Sequence, residues 1–206
     1  WPPRPTKWRI AAQIAATWLM PLWLSVGLRL GTSCSWIDHD FIATGSIYLS
    51  LRLIDRAPRW HWIGGPAAWA IPATSVALAI VLALVLHGRS EVIYPDAVTA
   101  LRYVGWAAIQ QLILSRVVAD RLTALDWSVP GVSLSAATAF ALLHAPNQSL
   151  MLLTLVGGLL WTWNWQRHRA LLPNVVAHAL CGLIASAAID RSWLWSAEVG
   201  SRFFAG

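Results

Sequence analysis

Apolar residues run along this chain in long blocks separated by short polar breaks. Seven such blocks can be marked: Ile10 to Leu30, Trp36 to Ile54, Trp62 to Leu86, Ala97 to Val118, Val129 to Ala145, Ser149 to Trp165 and Leu171 to Ile189. Each is close to the roughly 20 residues that cross the hydrocarbon core of a bilayer. None alternates with the two-residue period of a strand, which excludes a transmembrane β-barrel. Lipid offers no partner to an unpaired backbone group, so the blocks are expected to be helices. The third block contains no Asp, Glu, Lys or Arg and is the clearest span. The second is the weakest, with Asp38 and Asp40 at one end and Arg52 at the other. The pattern predicts an all-α, polytopic transmembrane helical bundle of about seven spans, the first block being a retained span and not a cleaved signal peptide.

Composition supports this reading. Of 206 residues 57% are hydrophobic and 12% charged, about half the charged share of a soluble domain. A water-soluble globule is excluded on that ground, and so is disorder, which needs a chain poor in apolar residues. The net charge of +6 could suggest nucleic acid, but the basic residues form no run and instead punctuate the apolar blocks. They mark loops. With Arg4, Lys7 and Arg9 inside, the later inside loops carry Arg52, Arg56 and Arg59, then Arg116 and Arg121, then Arg167 and Arg169. The outside loops hold fewer basic residues and the acidic Asp38, Asp40, Glu91 and Asp96. The expected topology therefore has its N-terminus inside. The many tryptophans, among them Trp60, Trp62, Trp161, Trp163, Trp165, Trp193 and Trp195, fall at block ends and fit interfacial belts. No disulfide is expected between Cys34 and Cys181, and no Cys spacing suggests a metal. Gly27 and Gly31 have helix-packing spacing, with Arg29 between them. The arginine-rich, lysine-poor usage is compatible with an integral protein of a bacterial inner membrane.

Polar residues inside apolar helices are where function is sought, because lipid penalises them. Three groups stand out. Gln110 and Gln111 are adjacent amides in the fourth block. Phe140 and His144 are four apart and share a helix face, with Pro146 and Asn147 directly after. Asn174 and His178 are likewise four apart in the seventh block. Singly, each can be read as interhelical hydrogen bonding. On successive helices they point to one polar site.

In this order the groups resemble the core of the CAAX protease and bacteriocin-processing group of intramembrane endopeptidases, the CPBP family or ABI domain. That core has an EExxxR helix, an FxxxH helix and an HxxxN helix. The resemblance covers about residues 97 to 190. Phe140, His144 and His178 match, and Gln110 and Gln111 stand where the family has its glutamates. Ser115 stands at the family's arginine with Arg116 one position later, and Gly182 stands at its asparagine with Asn174 one turn before His178. The chain would then divide into N-terminal transmembrane helices (1–96), core helices (97–190) and a tail (191–206). The resemblance implies Gln110, Gln111, His144 and His178 as catalytic, supported by Phe140, Asn147, Asn174 and Arg116.

The amides change the chemistry. A glutamate can take a proton from water, whereas a Gln amide can only hydrogen-bond and orient it. His144 or His178, neutral near pH 7, could act as base instead. No cofactor is implied; zinc held by His144 and His178 is disfavoured, because two imidazoles without a carboxylate fall short of an ordinary site. Neither Asp120, near the expected interface, nor Asp190 supplies the missing carboxylate. Three readings stay open: an intramembrane endopeptidase, an inactive pseudoprotease that binds membrane segments, and a non-enzymatic transporter or scaffold. The partners implied are the bilayer and a membrane-embedded peptide or protein substrate, with no nucleic acid; the oligomeric state is left open. For His144 and His178 to meet, the fifth block must be a short or tilted helix, which the bracketing Pro130 and Pro146 allow.

Overall fold

Gly64, Gly65 and Pro66 delay the helix of the third apolar block. Gly64 takes φ +69°, and a Cβ there would lie 2.6 Å from the Cβ of Ala170, so position 64 needs glycine for both conformation and space. Pro66 then opens a 3-10 turn, Pro66–Trp69, that runs into α1, Ala70–Leu86. The computed structural model describes residues 60–87 and 95–194, with Thr6, Trp8 and Ala11 as isolated positions. The first two apolar blocks, the Gly27 and Gly31 pair, Cys34 and the tail after Leu194 lie outside the described residues.

Helix α2, Ala97–Leu112, is N-capped by Asp96, whose Oδ1 accepts from the Val98 and Thr99 amides at 2.9 and 3.0 Å. The Thr99 hydroxyl donates to Oδ2 at 2.6 Å and holds the Asp96 carboxyl below its usual pKa. The helix continues through a π-helical stretch, Ile113–Ala119, into α3, Asp120–Ala124. It thus outruns the sequence expectation of an end near Val118. Helix α4, Val129–Leu142, is capped by Ser128 and has Pro130 in its first turn. Helix α5, Gln148–His168, is capped by Asn147. Helix α6, Leu172–Ala188, has Pro173 in its first turn, and a short α7, Arg191–Leu194, follows.

Among the described residues every regular element is helical. Among the described residues one helical run, Pro66–Leu86, is long and apolar enough to cross a membrane, with 21 residues that include an 18-residue stretch of mean hydropathy 2.3. Leu78, Val81, Leu84 and Val85 on it are each more than half exposed, an outward apolar face suited to lipid. The 14 residues of α4 span about 21 Å, short of the roughly 30 Å hydrocarbon core. Block length therefore overstates what α4 can cross alone.

Small residues set the packing. Gly158 of α5 faces α4 so closely that a Cβ would lie 3.0 Å from the Ala137 Cα. Ala136 and Ala137 are fully buried in this contact. Helix α6 packs against α1 and α2. Two inner tryptophans depart from the expected interfacial belt: Trp161 is 4% and Trp165 0% exposed. Each indole N–H is satisfied inside the bundle, by Ser75 Oγ at 3.1 Å and by Asp120 Oδ1 at 2.8 Å.

Asp120, expected near an interface, is buried and anchors this end of the fold. Its carboxylate accepts from Arg116 Nη1 at 3.0 Å, Arg169 Nη1 at 2.6 Å and Trp165 Nε1. Arg169 also lies 5.0 Å over the Trp165 ring. It ends α5 in the left-handed region, at φ 52°, and its carbonyl accepts from the His61 amide at 2.8 Å. The carboxylate thereby joins the long helix to α5 and to the segment before α1. Removing it would leave the buried Arg116 guanidinium and the half-buried Arg169 guanidinium without their counter-charge. Asp120→Ala is expected to destabilise the fold by about 3–5 kcal/mol, measured by thermal or denaturant unfolding in detergent; a midpoint equal to wild type would contradict the anchoring role.

Candidate active site

Helix periodicity places Ala107 and Gln111 of α2 on one face, toward α6. Ala107 is fully buried, and its small side chain lets the two helices approach. Gln111, also fully buried, reaches His178 of α6, with Nε2 3.2 Å from Nδ1. An amide NH₂ can only donate, so His178 Nδ1 accepts and its ring proton is on Nε2. The other amide atom, Gln111 Oε1, is buried and has no hydrogen-bond partner among the described residues. The same holds for the buried hydroxyl of Ser115, one turn further on. Buried acceptors of this kind call for water or ligand.

Three aromatic rings hold the His178 imidazole. Trp161 stacks on it at 4.8 Å and 26° between planes. Phe140 meets it edge-on at 5.4 Å, and Tyr103 does so at 6.4 Å. Gly157 makes room for the Trp161 indole, since a Cβ there would lie 2.9 Å from it. His144 lies just past the end of α4. Its Nδ1 donates to the Phe140 carbonyl at 2.7 Å, which leaves Nε2 as the free lone pair. Phe140 is also edge-on to His144 at 4.8 Å. One phenyl ring thus contacts both histidines, and the shortness of α4, ending at Leu142, is what lets His144 turn toward α6.

The other residues singled out in the sequence have different places. Gln110 is half-buried and rotated about 100° from Gln111 around the helix. Asn147 caps α5, accepting from the Leu150 amide at 3.0 Å, and donates to the Leu194 carbonyl at 2.6 Å. Asn174 is structural as well: Nδ2 donates to the Trp161 carbonyl at 2.9 Å and Oδ1 accepts from Asn164 at 2.9 Å. It fixes the backbone that carries Trp161, and so acts on His178 at one remove. Arg116 faces Asp120 instead of the histidines. The π-helical stretch accounts for its spacing from Gln111. Hydrogen bonds there run from residue i to i+5, as from the Asp120 amide to the Ser115 carbonyl, so one turn holds an extra residue.

Trp161, Tyr103 and Asp120 were not singled out as site or anchor residues in the sequence. The signals were present but weak: Trp161 is four residues after Gly157, and Tyr103 is two turns before Gln111 on one face. Among the described residues no three His, Cys, Asp or Glu side chains gather as for a metal ion. The site is two oriented imidazoles and one amide within an aromatic wall.

Residues 97–184 match the family model described as type II CAAX prenyl endopeptidase Rce1-like. That match supports the CPBP resemblance over this part of the chain, and the family it describes is one of membrane-embedded proteases. Neither the curated proteins nor the solved structures compared with the chain give a match.

The two adjacent amides should respond differently to substitution. Gln111→Leu removes the only described partner of His178 Nδ1 and is expected to lower stability by about 1–3 kcal/mol. Gln110→Leu, at a half-buried position, should stay within about 0.5 kcal/mol of wild type. Unfolding midpoints in detergent compare them, and equal losses would remove the distinction.

Proposed function

We propose that the chain is an intramembrane endopeptidase of the CPBP type that hydrolyses a membrane-anchored peptide or protein with histidines in place of a carboxylate base. The observation that carries this reading is the pair of hydrogen bonds that engage Nδ1 of each ring, His144 with the Phe140 carbonyl and His178 with the Gln111 amide. His144 offers a free Nε2 lone pair, and His178 offers an Nε2–H donor.

The chemistry follows from those two states. Water bound at Gln111 Oε1 gives a proton to His144 Nε2 while its oxygen adds to the scissile carbonyl carbon. The carbonyl π pair moves onto oxygen, and His178 Nε2–H donates to that oxyanion. Collapse restores the carbonyl and breaks the C–N bond. The departing nitrogen takes the proton from His144, so peptide and water become carboxylic acid and amine. Gln111 orients both the water and the His178 ring and accepts no proton. The apolar wall of Phe140 and Trp161 keeps bulk water from the intermediate.

The reading includes an integral membrane protein of about seven spans with its N-terminus inside. Its core helices lie in 97–190, between N-terminal spans in 1–96 and a tail in 191–206. The arginine-rich, lysine-poor usage favours a bacterial inner membrane. The description of the matched family, a CAAX prenyl endopeptidase, favours a substrate with a prenylated C-terminal cysteine motif. A second reading has its own support: a neutral amide at 110 and at 111 suits a pseudoprotease that binds a membrane segment uncut.

The test separates the two. The full chain in liposomes is offered an internally quenched peptide ending in a farnesylated Cys-a-a-X sequence. Wild type should cleave it, and His144→Ala and His178→Ala should each lose at least about 100-fold in kcat/KM. Binding without cleavage by wild type would favour the pseudoprotease, and full activity in either variant would sink the mechanism.

A further inference from the structure

Tyr103 and Gly182 meet across the α2–α6 interface in a way that the Gln111–His178 contact does not require. Tyr103 is two turns before Gln111 on the same face of α2, with the buried Ala107 between them. Gly182 is one turn after His178 on the same face of α6. A Cβ on Gly182 would overlap the Tyr103 hydroxyl and lie 2.8 Å from Tyr103 Cε1. The phenol end therefore fills the volume where any side chain at 182 would begin. Its ring is edge-on to His178, at 84° between planes. Among the described residues no hydrogen bond engages the hydroxyl. A ring that served only to fill this gap would have no use for a polar tip beside the most buried histidine of the site.

We propose that Tyr103 is a catalytic residue whose hydroxyl donates a hydrogen bond to the scissile carbonyl oxygen, beside the Nε2–H of His178. This rests on the protease reading above. When the water oxygen adds to the carbonyl carbon, the π pair moves onto the carbonyl oxygen, and a fixed donor there lowers the barrier. A phenol keeps its proton at neutral pH and needs no reorganisation to donate. The proton path is unchanged: water to His144, then His144 to the leaving nitrogen. The hydroxyl supplies a hydrogen bond and transfers no proton. Gly182 is part of the device, because any larger residue would push the phenol out of its place.

The test uses the full chain in liposomes of phosphatidylethanolamine and phosphatidylglycerol, with the same internally quenched farnesylated peptide. Tyr103→Phe keeps the ring and removes only the hydroxyl. It is expected to lose about 100-fold in kcat, with KM within about twofold and the unfolding midpoint unchanged. Tyr103→Ala should lose at least as much. The double variant Tyr103→Ala with Gly182→Asn puts a short amide donor into the vacated volume and should regain about tenfold over Tyr103→Ala. Tyr103→Phe turning over at the wild-type rate while His178→Ala is inactive overturns the role of Tyr103 and leaves the protease reading standing. A fall in kcat matched by a fall in the unfolding midpoint would mean a packing role and also overturns it. A wild type that cleaves no peptide, or a His178→Ala protein as active as wild type, overturns the protease reading and this proposal with it.

Discussion

Trp161 is the contact on which the inner geometry depends. Its indole stacks on His178, its N–H donates to Ser75 of α1, and its ring faces Phe140 of α4 at 6.4 Å. Its carbonyl accepts from Asn174 of α6. One residue of α5 thus reaches three other helices, through both its side chain and its backbone. In an apolar bundle this matters more than in water. Van der Waals fit and a few satisfied polar groups must orient the helices, because lipid is as apolar as their side chains and gives little drive to associate. Gly157 provides the space and Ser75 the acceptor, so the indole has one place to go. His178 is then fixed from one side by a ring face and from the other by Gln111.

The helix from Ala97 to Ala124 is divided by function along its length. Its first part carries Gln111 toward α6, and its last part carries Arg116 and Asp120 toward α5. A continuous α-helix returns to the same face every 3.6 residues. The π-helical stretch Ile113–Ala119 breaks that phase and inserts one residue per turn. The buried ion cluster at one end then leaves the orientation of Gln111 at the other end undisturbed. A buried charge cluster is weak evidence for net stability, since desolvation opposes its attraction. It does fix relative position, because the carboxylate has three partners and each comes from a defined direction.

Much of this was legible in the sequence, for identifiable reasons. Two helix starts were: the blocks beginning at Ala97 and Val129 begin where α2 and α4 do, while the caps Asp96, Ser128 and Asn147 emerge only from their contacts. The convergence of Gln111, Phe140, His144 and His178 was legible because each is a polar or aromatic exception in an apolar block. Trp161 and Trp165 depart from the expected belt. Position at a block end suggests an interfacial belt, and only the partners Ser75 and Asp120 reveal that Trp161 and Trp165 are inside. The same limit applies to Asp120. A carboxylate near a block end reads as exposed, and its burial depends on Arg169, far away in the chain. Asn147 and Asn174 looked like site residues by proximity to the histidines. Their side chains instead saturate backbone groups. Periodicity finds which residues share a face; it does not find which partner waits there.

The amide at 111 is best understood from its burial. An ionised carboxylate with no exposed surface would carry a large desolvation penalty. It could hold its charge only by drawing a proton onto His178. A neutral amide avoids that coupling: it binds the imidazole without changing its charge and leaves its second atom free for another partner. The consequence is a separation of tasks. Orientation rests on Gln111, on the aromatic wall and on the Phe140 carbonyl, none of which titrates near neutral pH. Under the protease reading proposed above, proton transfer then falls to the imidazole with a free lone pair, and the hydrogen bond from His144 Nδ1 to Phe140 makes that His144 Nε2. The scarcity of acidic residues along the chain thus extends into the site itself, where Gln111 meets His178 without adding a charge and the two histidines have different hydrogen-bond partners.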